Sequence, residues 1–78
     1  MTEQTIQIGL NGADIEMHIA KNNAGIYFVS FRLYETSETG TRFAKTNGGP
    51  VFPFNDKQGI ILKFGEMIGS QNFDKITI

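Results

Sequence analysis

The sequence predicts an α+β domain: one antiparallel sheet of four to five strands with a single helix, from the C-terminal half, packed on one face. Three observations predict it. Asn11-Gly12 stands between two alternating apolar runs, the strongest short-range signal for a two-residue hairpin loop. Ile26 to Glu35 reads IYFVSFRLYE, dense in β-branched and aromatic residues. Ile60, Ile61, Phe64, Met67 and Ile68 recur at i, i+1, i+4, i+7 and i+8, the stripe of an amphipathic helix. The 78 residues make one domain, 1–78, near the lower size at which a hydrophobic core suffices without staples.

The first hairpin spans 5–20. A loop with positive φ at Asn11 and Gly12 pairs Leu10 with Ala13, Ile8 with Ile15 and Ile6 with Met17, which puts the apolar residues on one face. Thr5 opposite His18, Gln7 opposite Glu16 and Gly9 opposite Asp14 then make the other. Lys21 to Gly25 is a turn, since Asn and Gly accept left-handed backbone. The strand 26–35 sorts by parity into Tyr27, Val29, Phe31 and Leu33, which carry no charge and face the core, and Ile26, Phe28, Ser30, Arg32 and Tyr34, which face the open side. Segment 36–54 is loop and short strand: a polar turn from Thr36 to Gly40, a strand or loop arm over Thr41–Thr46, an Asn47-Gly48-Gly49 turn, and Val51–Phe54, which Pro53 places at a sheet edge or strand end.

The helix is expected over 55–69, with Asn55 as N-cap, Gln58 completing a capping box, and Gly69 at the C-terminus. Gly59 and Gly65 inside it each cost about 1 kcal/mol relative to Ala, which points to close packing against the sheet or a partner. The alternating tail 73–78 reads as a last short strand, able to pair with an exposed edge of its own sheet or of a second copy. The expected core is Ile6, Ile8, Leu10, Ile15, Met17, Val29, Phe31, Leu33, Ile61 and Phe64.

Composition narrows the function. Without cysteine and with one histidine, the chain has no disulfide, no thiolate metal site, no cysteine nucleophile and no multi-His site of its own. His18 lacks a partner at a motif spacing, Asp14 and Glu16 are the polar half of an alternating hairpin, and Gly48-Gly49 precedes Pro50 rather than the Lys-Ser/Thr of a phosphate loop. No enzyme, cofactor or metal site is implied. Residues 1–7 have neither a basic start nor an apolar run, and no stretch has the length to span a bilayer; a cytoplasmic protein with no membrane partner is the expectation. Seven Lys/Arg against eight Asp/Glu give a net charge of −1, whereas domains held to nucleic acid by charge alone are basic.

The nine aromatic residues, seven Phe and two Tyr, exceed what so small a core absorbs. Phe28, Arg32 and Tyr34 share the open face, with Lys21 and His18 as neighbours and Arg42, Phe43 and Lys45 arriving from the next segment. Rings that stack bases beside cations that track phosphate are the elements of a single-stranded nucleic-acid site. In the competing reading a partner subunit or the long loop covers this face, and the aromatics are core.

From Ile26 onward the order of elements resembles the positive cofactor four family of single-stranded DNA-binding proteins. The resemblance rests on Phe31-Arg32-Leu33-Tyr34-Glu35, the turn Ser37-Glu38-Thr39-Gly40, a basic loop through Arg42 and Lys45, Gly48-Gly49 before a short strand, and an Asn-capped helix. It covers about 5–69. It implies that Arg32 contacts DNA, that Lys45 belongs to the basic loop, that Tyr34 is the aromatic near that arginine, and that the chain is a homodimer with Gly65, Met67 and Phe64 at the contact. The chain departs from the family in a less basic loop, in Glu35 and Ile60-Ile61 where tryptophans are usual, and in a tail after Gly69 with no counterpart. The expectation is a homodimer that binds single-stranded nucleic acid in transcription, replication or repair. The alternative is a small module, such as a phage-type accessory or inhibitor, whose aromatic face and sheet edge engage a protein partner.

Overall fold

The computed structural model describes residues 1–46 and 48–78. Asn47, which opens the expected Asn-Gly-Gly turn, lies outside them. Asn11 at φ 50° and Gly12 at φ 81° form the two-residue loop. It joins β1 (Thr2–Leu10) to β2 (Ala13–Lys21) in the expected register, Leu10 with Ala13, Ile8 with Ile15 and Ile6 with Met17. Gly12 supplies the positive φ that a side chain adopts only under strain. The Asn22 side chain then accepts from the backbone N–H of Ala24 and Ile26 and turns the chain into β3 (Tyr27–Thr36), which runs antiparallel to β2.

Two short strands share the outer edge of β3: β4 (Arg42–Ala44) pairs with Tyr34–Thr36, and β5 (Phe52–Phe54) with Tyr27–Val29. The five strands form one antiparallel sheet. Pro53 stands opposite Phe28, in an edge strand where a missing N–H is tolerated.

Helix α1 (Lys57–Ile68) is shorter than expected, and its cap is Asp56, not Asn55. Asp56 is extended, and its Oδ1 accepts from the Gly59 N–H at 2.9 Å, which satisfies one of the orphan donors of the first turn. The third helical residue is therefore Gly59 rather than Gln58, so there is no capping box.

Ile60 and Ile68 are buried against the sheet, with Phe64 and Met67 packed beside them. The core holds Ile6, Ile8, Ile15, Met17, Ile19, Tyr27 and Val29 from the sheet. Leu10, Phe31 and Phe64 are partly buried against it. Two expected core residues are not in it. Leu33 is 40% exposed, because α1 runs from β5, where Gly59 meets Phe54, toward Gly9 and Leu10 and leaves the far end of β3 uncovered. Ile61 lies on the flank of α1, where it lines an open cleft with Gly65, Gly69 and Phe73; Ile60 takes its place.

The expected C-terminal strand does not form. Gly69 redirects the chain into a second short helix, α2 (Ser70–Phe73), and residues 74–78 follow with no strand pairing. The tail is held by side chains instead. The Gln4 amide donates to the Lys75 carbonyl and accepts from the Thr77 N–H, and the Tyr27 hydroxyl donates to the Ile78 carbonyl at 3.2 Å. The apolar alternation still has a use, since Ile76 is buried and Ile78 packs against the core.

The two helix glycines differ. A Cβ on Gly59 would lie 3.0 Å from Phe54 Cδ1, whereas on Gly65 its nearest neighbour is Ile61 Cγ2 at 3.4 Å, on the open flank. Gly65→Ala is therefore expected to stabilise the fold by about 0.5–1 kcal/mol through helix propensity, and Gly59→Ala to lose that gain against the Phe54 ring. Urea denaturation of both variants checks the contrast. A Gly59→Ala variant as stable as Gly65→Ala would show that α1 is not seated closely on β5.

Candidate functional site

The face of the sheet opposite α1 is assembled by register alone. Glu3, Thr5, Gln7 and Gly9 of β1 lie beside Ala20, His18, Glu16 and Asp14 of β2, and these beside Phe28, Ser30, Arg32 and Tyr34 of β3. Thr36 and Tyr34 then meet Arg42 and Ala44 of β4. Of the residues the sequence proposes for a binding face, Phe28, Arg32, Tyr34 and Arg42 are brought together here.

The other three are not. Lys21 pairs with Tyr27, and its Nζ lies 5.3 Å from that ring's centroid, on the helix side of the sheet. Phe43 pairs with Glu35, also on the helix side, and is 44% exposed. Lys45 binds Glu35 at 2.9 Å. In each case the two-residue pleat of β3 decides: odd-numbered positions and their partners point to α1, even-numbered ones away.

Arg42 is the hub of the open face. Its guanidinium lies over the Tyr34 ring, 3.7 Å from the centroid, and reaches across β3 to donate to both Asp14 oxygens at 2.8 and 3.0 Å and to Gln7 Oε1 at 2.7 Å. Glu16 closes the network. It accepts from the Tyr34 hydroxyl at 3.3 Å and from the Gln7 amide at 3.0 Å, with Arg42 Nη1 at 4.0 Å. The sequence placed Asp14 and Glu16 on this face, but it carries no signal for the span of Arg42, which depends on where β4 docks.

The hydrogen bonds from Arg42 hold the Asp14 carboxyl below its ordinary value, and Asp14 raises Arg42 in turn. A lowered carboxyl contributes stability above its unfolded-state value, about 3.9, and that contribution is lost as pH falls through the lowered one. Both partners are solvent-exposed, so the effect is small. Denaturation midpoints of wild type and Asp14→Asn should differ at pH 6 and converge as the pH is taken toward 2. A difference that persists at low pH would mean that Asp14 acts through packing and not through charge.

With Arg42 engaged, the face offers a smaller set of available groups. Arg32 has no carboxylate within ion-pair distance among the described residues. Together with Glu16, His18 and Ser30 it lines a polar cleft of about 160 Å³. His18 Nε2 lies 3.5 Å from Glu3 Oε1. Phe28 and Tyr34, both half-buried, flank the cleft along β3, four residues before Arg32 and two after it. Such a face can stack flat rings and seat one anion, but it cannot neutralise a run of phosphates.

Comparison of the chain with protein-family models, curated proteins and solved structures found no match. Among the described residues no group of His, Cys, Asp and Glu is placed to hold a metal ion, and no helix is long and apolar enough to cross a membrane.

Proposed function

We propose that the open face binds single-stranded nucleic acid, chiefly by base stacking, in transcription, replication or repair in the cytoplasm. The observation that carries this reading is the alternation of Phe28, Arg32 and Tyr34 on a face covered by neither helix, with Arg32 in no ion pair among the described residues. Each stacked base contributes roughly 1–3 kcal/mol whatever its identity, so the Phe28 ring, the Tyr34 ring with Arg42 stacked on it, and one phosphate contact suffice for a modest, sequence-tolerant affinity. The resemblance to positive cofactor four proteins supports the same face, through Arg32 and Tyr34.

The engagement of Arg42 by Asp14 alters what this reading expects of salt. Each neutralised phosphate contributes roughly −0.7 to the slope of log K against log salt on single strands. With Arg32 as the guanidinium without an ion pair among the described residues, the slope should be near one phosphate's worth. Titration of labelled single-stranded and duplex oligonucleotides at two salt concentrations tests it: retention of the single strand only, with a shallow slope, is the expected result.

A second reading, a module that engages a protein partner, is favoured by the mixed charge of the same face, where Glu3, Asp14 and Glu16 oppose Arg32 and Arg42. Leu33, Phe43, Val51 and Leu62, all exposed, add apolar surface elsewhere. Failure to retain any single-stranded oligonucleotide at low salt puts this reading in place of the first.

A further inference from the structure

The two edges of the sheet are treated differently. The outer edge of β3 is used at both ends and at Leu33: by β5 at Tyr27–Val29, by Lys45 and Thr46 at Leu33, and by β4 at Tyr34–Thr36. At the other edge β1 is nine residues long, and its outward side has no backbone partner among the described residues. Of the devices that usually protect an edge it carries a single charge, Glu3, near its start. Thr2–Leu10 contains no proline and no lysine, and its pairing to β2 is unbroken by any bulge.

Which groups of β1 point outward follows from the ladder. Leu33 donates its N–H to Thr46 Oγ1 and accepts from the Lys45 N–H, so the odd-numbered residues of β3 bond toward the outer edge. Bonding direction alternates along an antiparallel strand. The even-numbered residues of β3 therefore bond to β2, the odd-numbered residues of β2 bond to β1, and the even-numbered residues of β1 bond back. That leaves the N–H and C=O of Glu3, Thr5, Gln7 and Gly9 facing solvent.

We propose that this edge pairs with the same edge of a second copy, about a two-fold axis at Ile6, turning two five-stranded sheets into one of ten strands. In this register Glu3 faces the partner's Gly9 and Thr5 faces the partner's Gln7, so all four outward residues form hydrogen-bonded pairs. A shift of two residues either way leaves one of the four without a strand partner. The charges agree as well. Glu3 is the charged residue of β1, and it meets a glycine rather than its own copy, so no like charges stand opposite one another. The axis is perpendicular to the sheet and keeps both open faces on one side. The inference does not depend on what those faces bind.

Gly9 gives a test specific to this register. A Cβ there meets nothing within 4 Å, so the single chain has room for a side chain. A Gly9→Glu carboxylate lies beside Asp14 in the chain itself, a burden that does not depend on concentration, whereas in the pair it also stands against the partner's Glu3 twice. Sedimentation equilibrium up to hundreds of micromolar should show a dimer for wild type and at least tenfold weaker association for Gly9→Glu. Association should recover in the Glu3→Lys/Gly9→Glu double variant. A measurement without variants is hydrogen exchange, in which the amides of Glu3, Thr5, Gln7 and Gly9 should slow as wild-type concentration rises. A monomer at hundreds of micromolar overturns the inference. So does a dimer indifferent to Gly9→Glu whose four amides exchange at a concentration-independent rate, since the contact would then lie on another surface.

Discussion

Phe64→Ala is expected to cost about 3–5 kcal/mol, the range for removing a large aromatic from a packed site. Such a loss is comparable to the whole stability of a small domain. Phe64 is the ring on which the second layer is hung. It meets Phe31 of β3 edge-on at 4.9 Å between centroids, and Phe52 and Phe54 of β5 at 5.3 and 5.8 Å. Edge-to-face pairs of this kind contribute roughly 0.5–1.5 kcal/mol each beyond the area they bury, so truncation forfeits three of them together with the contact between α1 and the core. β5 should loosen with it, because three residue pairs to β3 are its whole ladder. Urea denaturation followed by circular dichroism reads the loss. Leu62→Ala, two residues earlier on the same helix and 79% exposed, should change stability by less than about 0.5 kcal/mol. The Phe31→Ala/Phe64→Ala pair should be less damaging than the sum of its singles, because they share a contact. A cooperatively folded Phe64→Ala variant with an unchanged midpoint would show that α1 does not dock on the sheet through this cluster.

Phe28→Ala and Tyr34→Ala are each expected to weaken single-strand binding roughly 5- to 150-fold, the equivalent of one lost base stack, without altering the salt slope. Arg32→Ala should weaken it and flatten the slope, because it removes a phosphate-contacting charge and about one released counterion. Lys21→Ala and Lys45→Ala should leave affinity unchanged, since one cation lies over Tyr27 and the other is paired with Glu35 on the helix side. Fluorescence anisotropy with a labelled oligonucleotide at two salt concentrations separates these outcomes. Binding that ignores Phe28, Arg32 and Tyr34 but falls with Lys45→Ala would move the site to the helix side of the sheet, where Phe43 and Leu33 are exposed.

Tyr34→Ala has a second expected consequence, because its ring supports the Arg42 guanidinium at 3.7 Å and its hydroxyl binds Glu16. A conservative Tyr34→Phe keeps the stacking surface and loses only the hydroxyl. Retained binding in Tyr34→Phe would assign the effect of Tyr34→Ala to the ring.

By itself the sequence determined the sheet and its two faces. Asn11-Gly12 permits one tight loop, a tight loop permits one register, and a side-chain period of two then sorts every residue of β1, β2 and β3 into inside or outside. The open face of Phe28, Arg32 and Tyr34 was legible for that reason, as were the edge position of Pro53 and the helix near 57–68. Tertiary structure decided what depends on where separate elements meet. The diagonal of α1 left Leu33 and Ile61 out of the core, although their periodicity matched that of their buried neighbours. Side-chain hydrogen bonds from Gln4 and Tyr27, and burial of Ile76 in the core, made the C-terminal alternation a docked tail and not a strand. The three-residue pairing of β4 sent Arg42 across the sheet to Asp14 and put Phe43 and Lys45 on the other side. Local periodicity says which way a side chain points within its own strand or helix. Which cation is neutralised depends on distances between residues far apart in the chain, and only the packed fold sets those.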